Sequence, residues 1–312
     1  MSGSTSVLRL PGPDRLVLRQ SRWAGWAAGG LVVSAVVGTA VLRGVAGSDP
    51  YSPVRGTLRA LNEDVAYAAL LLPVLIGAFV AGPMLARELE SGTYRLAWTQ
   101  GMSPTRWLAS KLAVAAVGSA AVAAVLMGAF RLGQGAFGPP GAFLHWHQAH
   151  AYAALGVTGV AYALLGVAFG ALTALLVRRT VLAMVVAGAV TGALMMAMGS
   201  LRAHLWPTTT VTRQGEPGSV VETDGSRWDV DFGMLTGSGQ RLSWESCWAG
   251  VREGAYPDSQ ACMTARGAVS HFSDVHTRSH FWPLQLVETG IVLALVAGAV
   301  WLAFRALRRL HG

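Results

Sequence analysis

The sequence predicts an all-α polytopic membrane protein with six transmembrane helices and a small, partly β extracellular domain. Two observations lead to this class. The 312-residue chain is 53% hydrophobic but only 13% charged, whereas soluble domains carry about 25% charged residues. Its hydrophobic residues also come in long uninterrupted runs, as a hydrocarbon core about 30 Å thick requires of a spanning helix.

Six apolar segments are long enough to cross a bilayer, because about 20 helical residues at 1.5 Å each cover its core. The first five contain no Asp, Glu, Lys or Arg, and the last contains only Glu288. No cleavable signal peptide is evident, so we expect the first segment to remain as a membrane anchor. The segments are Trp23–Leu42, Val65–Ala86, Leu112–Phe130, Ala151–Val177, Thr180–Leu201 and Pro283–Phe304.

The positions of the basic residues predict that both termini are cytoplasmic. With the N-terminus inside, the cytoplasmic segments carry 13 Arg and Lys residues and the two short external loops carry 4, in accordance with the positive-inside rule. The long loop before the last span crosses largely regardless of charge. The excess of 24 basic over 16 acidic residues therefore fits membrane orientation better than nucleic-acid binding.

Four regions follow from this topology. Residues 1–22 form a cytoplasmic N-terminus, in which arginines alternating with leucine and valine after a Pro-Asp start predict an interfacial elbow helix. Residues 23–201 hold transmembrane helices 1–5 and a cytoplasmic connector at 87–111. Residues 202–281 form the extracellular domain, and 282–312 hold helix 6 and a basic tail.

The extracellular domain contains the only two cysteines, Cys247 and Cys262. Two cysteines in one external loop predict a disulfide formed in an oxidising compartment, with two unpaired thiols as the alternative. Thr208–Thr212 favours a strand, and Asp224-Gly225 between two β-favouring runs predicts a two-residue hairpin.

The chain lacks the phosphate-binding loop of common ATPases, G-x-x-x-x-G-K-[ST]. Its single lysine, Lys111, follows no glycine pattern. We therefore expect no ATPase site and no bound cofactor in this chain, so that any ATP and Mg²⁺ would bind a partner subunit at the cytoplasmic surface. No Ser-His-Asp or Cys-His nucleophile arrangement is readable, and no catalytic residue is predicted.

Six of the eight histidines fall in two external groups, at 145–150 and at 271–280. Histidine with a carboxylate, such as Asp274, is a possible Zn²⁺ ligand set. No cysteine completes either group, so solvated or interfacial histidine is the favoured interpretation and no metal site is predicted.

The connector contains a candidate partner-binding helix. Gly101 should end one helix, and Ser103-Pro104 should start the next, with serine as the N-cap and proline at the first helical position. Before Gly101 lies a short helix whose large apolar side chains could dock into a partner's groove, namely Tyr94, Leu96 and Trp98. An ordinary interfacial helix with its aromatics among lipid headgroups is the alternative.

Two motifs stand in a recognisable order along the chain. The connector reads R-E-L-E-S-G-T at 87–93, then Trp98, then S-P-T-R-W at 103–107 and Lys111. This connector resembles the intracellular loop of ABC-2 type transporter permeases. The stretch F-W-P-L-Q-L-V-E at 281–288 is similar to the start of the last span in the actinobacterial branch of that family. With the six-span layout, the resemblance covers nearly the whole chain.

The resemblance implies partners. Permeases of this family work as dimers, so a second permease copy or a paralogue is expected, and each half pairs with an ABC ATP-binding subunit. It also implies that the acidic elbow and the short helix after it couple to that ATPase, through Glu88, Glu90, Gly92, Thr93, Tyr94, Arg95, Leu96 and Trp98.

Glu288 is the one acidic residue inside a predicted span. Intramembrane carboxylates are costly and commonly functional. Glu288 lies roughly 7–8 Å along the helix from Pro283, a depth that headgroup water can reach. Both a role in gating or substrate contact and a structural hydrogen bond to a neighbouring helix remain open.

Pairs of glycines four residues apart let helices approach closely. We expect them to serve packing inside one subunit, and they are Gly25/Gly29, Gly166/Gly170 and Gly188/Gly192.

The sequence thus predicts a multi-pass protein of the cell membrane, and the resemblance implies that it acts as the permease of an ABC exporter. It would move a hydrophobic or amphipathic substrate outward with ATP hydrolysed by a separate subunit. The alternative is a mechanotransmitting or signalling protein, in which ATP hydrolysis moves the extracellular domain and no solute.

Overall fold

The computed structural model describes residues 22–47, 49, 52–135, 145–215 and 227–309. The elbow helix predicted within residues 1–22 lies outside these residues, except for Arg22. In chain order the helices are α1 (Arg22–Ala46), α2 (Val54–Leu75), α3 (Gly82–Ser91), α4 (Tyr94–Thr99), α5 (Pro104–Gln134), α6 (Ala149–Leu155), α7 (Thr158–Val177), α8 (Thr180–Leu201), α9 (Trp244–Arg252), α10 (Ser259–Ala265) and α11 (Phe281–Arg308). The strands are β1 (Thr209–Gln214), β2 (Trp228–Thr236), β3 (Arg241–Ser243) and β4 (Ala268–His276).

The chain forms two compact units. Among the described residues, the membrane unit comprises those within 22–135, 148–200 and 285–309, and the sheet unit comprises those within 145–147 and 201–284.

Five helical segments of the described residues are long and apolar enough to cross a membrane: Val54–Ser91, Pro104–Gln134, Thr158–Val177, Thr180–His204 and Arg278–Arg308. Each overlaps one of the last five predicted spans, which supports a multi-pass membrane protein. Where the first span was predicted, α1 contains a shorter apolar stretch, Val32–Ala46. The six-span count and the sidedness stay predictions.

The fourth predicted span, Ala151–Val177, is wrong as a single helix. The chain breaks after α6, at Gly156, whose extended backbone (φ −118°, ψ 177°) cannot belong to a helix. Helix α7 begins two residues later and still has 20 residues, about 30 Å at 1.5 Å each, so it can span the membrane without α6. The sequence pattern did not predict the break, because the apolar run continues through it.

Helix α7 lies at the centre of the membrane unit, against α2, α3, α5 and the π-helical segment Ile76–Ala81 that links α2 to α3. A Cβ added at Gly170 would lie 2.9 Å from the carbonyl oxygen of Gly77 and 2.7 Å from Cβ of Ala81, so this crossing requires glycine. A Cβ added at Gly166 would come even closer to the carbonyl oxygen of Pro73. This glycine pair therefore packs inside the subunit, as predicted.

The sheet unit is built on an antiparallel sheet with the strand order β1-β4-β2-β3. Cys247 on α9 and Cys262 on α10 form a disulfide with a Cα–Cα distance of 5.7 Å, which confirms the predicted bridge. Both cysteines are buried with Met234 and Met263 in a small core. The predicted strand at Thr208–Thr212 is confirmed by β1, whereas the predicted Asp-Gly turn lies outside the described residues.

Candidate functional site

The connector between α3 and α5 is a turn–helix–turn. Helix α3 ends at Ser91, and the next residue, Gly92, adopts a left-handed conformation (φ 74°). After α4 a second left-handed glycine, Gly101 (φ 86°), turns the chain again. Left-handed backbone strains other residues but not glycine. Ser103 then caps α5, since its hydroxyl accepts a hydrogen bond from the Arg106 N–H at 3.3 Å, and Pro104 occupies the first helical position. The helix stop and start predicted here are confirmed.

Glu88 fastens the start of the connector to α5. Its Oε1 accepts a hydrogen bond from Lys111 Nζ at 2.7 Å, and its Oε2 accepts one from the Trp107 indole N–H at 3.0 Å. The Lys111 side chain is only 3% exposed and that of Glu88 is 18% exposed. This ion pair is therefore largely shielded from water, and Glu88 is an anchor inside the subunit.

Glu90 fastens the same end of α3 to α8. Its Oε2 accepts hydrogen bonds from the Thr180 backbone N–H at 2.9 Å and from the Thr180 hydroxyl at 2.6 Å. Because Thr180 is the first residue of α8, the carboxylate satisfies an unpaired N–H at a helix start, where negative charge is favourable. The two glutamates thus tie α3 to two different helices.

Helix α4 has two different faces. Tyr94 and Trp98 contact each other edge to face, with ring centroids 4.6 Å apart. Trp98 contacts Trp107 of α5 in the same way, with centroids 6.2 Å apart. These rings pack against the main core of the membrane unit. On the other face Arg95 and Leu96 are exposed, with Leu96 63% exposed. The three apolar groups predicted to dock together are therefore divided, and only Leu96 is on the exposed face.

A second polar cluster lies where α11 meets the broken helix. Glu288 is fully buried, and its Oε1 accepts a hydrogen bond from the Tyr162 hydroxyl at 2.6 Å. One turn earlier Gln285 is also fully buried. Its Nε2 donates to the Tyr152 carbonyl at 3.0 Å, and its Oε1 accepts from the backbone N–H of Thr158 at 3.1 Å and from the hydroxyl of the same residue.

Sequence reasoning singled out Glu288 but missed Gln285. The hydrogen bond from Tyr162 gives Glu288 the partner that the structural interpretation requires, while its role in gating stays a prediction. The signal that could have found Gln285 is its spacing: an amide three residues before a carboxylate places two polar groups on one face of an apolar helix.

In the sheet unit the ion pair and the histidine side chains make contacts at different places. Arg241 Nη1 lies 2.5 Å from Asp274 Oδ2, and this bond lowers the pKa of Asp274. Burial lowers the pKa of His147 to about 4, and that of His276 is lowered by the same cause. No group of three or more His, Cys, Asp or Glu residues could hold a metal ion within the described part of the chain.

These features define a multi-pass membrane protein whose α3–α5 connector is clamped at its base and exposed along one helix face. Residues 48–202 match the family described as ABC-2 membrane transporter related. The match covers 155 of the 312 residues (202 − 48 + 1), just under half, and includes the connector. It supports an ABC-2 type permease family, a generally non-enzymatic transport subunit of an ABC transporter that implies an ATP-binding partner. No curated protein matches the chain.

Proposed function

We propose that this chain is the membrane-spanning permease subunit of an ABC exporter in the cell membrane. It moves a hydrophobic or amphipathic substrate outward, with ATP and Mg²⁺ bound and hydrolysed on a separate ATP-binding subunit. The observation that carries the proposal is the connector, which presents one face of α4 outward and is fastened through α3 to two long helices.

The exposed face of α4 is the contact for the ATP-binding subunit. Leu96 supplies an apolar group that a groove can bury. Arg95 supplies a positive charge beside it, with its guanidinium 5.8 Å from the centre of the Tyr94 ring. This face is small, and so the docking would depend on a few side chains, as in other interfaces with hot spots.

The buried face of α4 transmits the displacement. A push on α4 is passed by the edge-to-face contacts of Tyr94 and Trp98 to Trp107 on α5. The bonds of Glu88 to α5 and of Glu90 to α8 oblige α3 to move with those helices. The connector therefore converts contact with a motor into a shift of three membrane helices.

The partners include a second permease copy or a paralogue. Helix α8 presents large exposed apolar side chains, which need lipid or another helix bundle to cover them. Both termini are cytoplasmic in this proposal, and Glu288 lines the path or gate for the substrate at the opposite end of the membrane unit from the connector.

Coupled ATPase activity tests the coupling assignment. The permease is co-purified with its ATP-binding subunit, and the ATPase activity of the assembly is compared among variants. We expect Leu96→Asp to abolish assembly and Leu96→Met, the matched control, to preserve it. Tyr94→Ala/Trp98→Ala should assemble but lose most of the coupled activity. Unchanged coupled activity in the Tyr94/Trp98 variant would refute the assignment.

The separate sheet unit favours a second candidate function, in which ATP hydrolysis moves the extracellular domain. Replacing residues 205–276 with a short flexible linker distinguishes transport of a solute from movement of this domain. An exporter would retain ATPase activity stimulated by a hydrophobic substrate. A mechanotransmitter would lose its function, because the domain that it moves is gone.

A further inference from the structure

The chain is interrupted between α6 and α7, where the backbone groups need partners from elsewhere in the protein or from water. The last carbonyls of a helix and the first N–H groups of the next have no intrahelical partners. Because α7 alone is long enough to span the hydrocarbon core, the break lies towards the membrane surface, where such groups must be bonded by protein or by water. Here the break is formed by Gly156 and Val157, directly before Thr158, the first residue of α7.

One side chain from α11 satisfies both sides of the break. The Gln285 amide donates to the Tyr152 carbonyl of α6 and accepts from the Thr158 N–H of α7. Arg131 of α5 donates to the Leu155 carbonyl beside it. The backbone leaves room for the amide only because residue 156 is glycine, since an added Cβ there would occupy the position of the Gln285 amide.

We infer that Gln285 is a positioning residue that acts as a latch on the external end of α7. While its three hydrogen bonds are made, α11 holds the break closed and dry. When α11 moves away from α7, the broken ends lose these partners and water must replace them. The break is then the point at which the external side of the membrane unit becomes wet.

Glu288 extends the latch by one turn. It is bonded to Tyr162 of α7 and, like Gln285, is fully buried. Separation of α11 from α7 would thus expose an amide and a carboxyl group at the same place, which gives an opened pathway a polar lining. This inference rests on the proposed transport function, because a latch has a purpose only if the membrane unit opens.

Hydrogen exchange of the full-length permease tests the latch without a transport assay. We expect Gln285→Met, which keeps the side-chain length and removes all three hydrogen bonds, to speed amide exchange at residues 158–161 at least tenfold. Exchange at the other end of α7, residues 172–177, should not change. The matched control is Thr289→Val on the same helix, because the Thr289 hydroxyl is buried and makes no hydrogen bond among the described residues; it should leave residues 158–161 protected.

Exchange in the complex with the ATP-binding subunit separates a moving latch from a structural bond. In the wild type, residues 158–161 should exchange at least tenfold faster in one of two states, nucleotide-free or bound to a non-hydrolysable ATP analogue. Gln285→Met should exchange rapidly in both states. A wild type that stays protected in both states would overturn the latch, and so would a Gln285→Met variant as protected as the wild type.

Two further measurements test the latch if the first variant or the complex cannot be obtained. If Gln285→Met does not accumulate, Thr158→Val, which removes only the hydroxyl hydrogen bond, should give a smaller local increase in exchange, and no increase would count against the latch. If no ATP-binding subunit co-purifies, the proposed transport function fails, while the comparison in the permease alone still decides whether Gln285 closes the break.

Discussion

Removing Lys111 should show that the connector depends on one shielded ion pair. In Lys111→Met the volume and the apolar stem remain, but the Glu88 carboxylate loses the ammonium group 2.7 Å away. Breaking a buried pair by removing one partner costs about 3–5 kcal/mol, because the other charge is left uncompensated. Glu88 keeps the Trp107 hydrogen bond and is 18% exposed, so we expect the lower end, about 3 kcal/mol.

The converse change should cost more. In Glu88→Gln the uncompensated group is the Lys111 ammonium, which is only 3% exposed, and we expect about 4–5 kcal/mol. The double variant contains neither charge, and its glutamine can still accept the Trp107 hydrogen bond. It should therefore lie within about 1 kcal/mol of the wild type, because a buried pair that is replaced as a whole costs little.

Reversible unfolding in mixed micelles, followed by circular dichroism during SDS titration, measures these free energies. Full additivity would make the double variant about 7–8 kcal/mol less stable than the wild type, so the coupling energy is the decisive quantity. Additive losses, or a neutral Lys111→Met variant, would refute the reasoning, since either would mean that the pair contributes no mutual compensation.

Three further predictions concern other parts of the molecule. Reduction, or Cys247→Ser/Cys262→Ser, should destabilise the sheet unit by about 3 kcal/mol, from a bridge whose cysteines are 15 residues apart; unchanged protease resistance after reduction would contradict this. The pKa of His147 is lowered to about 4 from 6.5, so the unfolded chain binds more protons between these values, and stability of the sheet unit should fall as the pH drops from 6.5 towards 4. Hydrogen exchange of β2 and β4, corrected for intrinsic rates, measures this loss of stability. His147→Phe should reduce the pH dependence while keeping the ring stacked on Trp228, whose centroid is 5.6 Å away. The pKa of Asp274 is lowered, so the stability that its carboxylate contributes is lost only at still lower pH. Glu90→Ala should speed exchange at the first amides of α8, which lose their cap at Thr180, whereas Arg179→Ala, beside it, should not.

Features specified by neighbouring residues could be predicted from the sequence. The end of α4 at Gly101 and the start of α5 at Ser103-Pro104 are confirmed, because left-handed turns and N-caps depend on the local backbone. The long apolar runs identified the membrane-spanning helices, since hydrocarbon thickness sets their length. The Cys247–Cys262 bridge followed from the only two cysteines in the chain.

Features that depend on distant partners needed the folded chain. The break at Gly156 lies in an unbroken apolar run, and the side chain that satisfies it is Gln285, which is 127 residues from its bonding partner Thr158. The pairing of Glu90 with Thr180 joins residues 90 apart, and the two faces of α4 differ because Trp98 packs on Trp107. Composition and local pattern establish that apolar helices lie in a membrane and, at the connector, where helices begin and end. Which polar groups meet is settled only by packing, because a buried hydrogen bond forms wherever the fold brings a donor to an acceptor, whatever their separation along the chain.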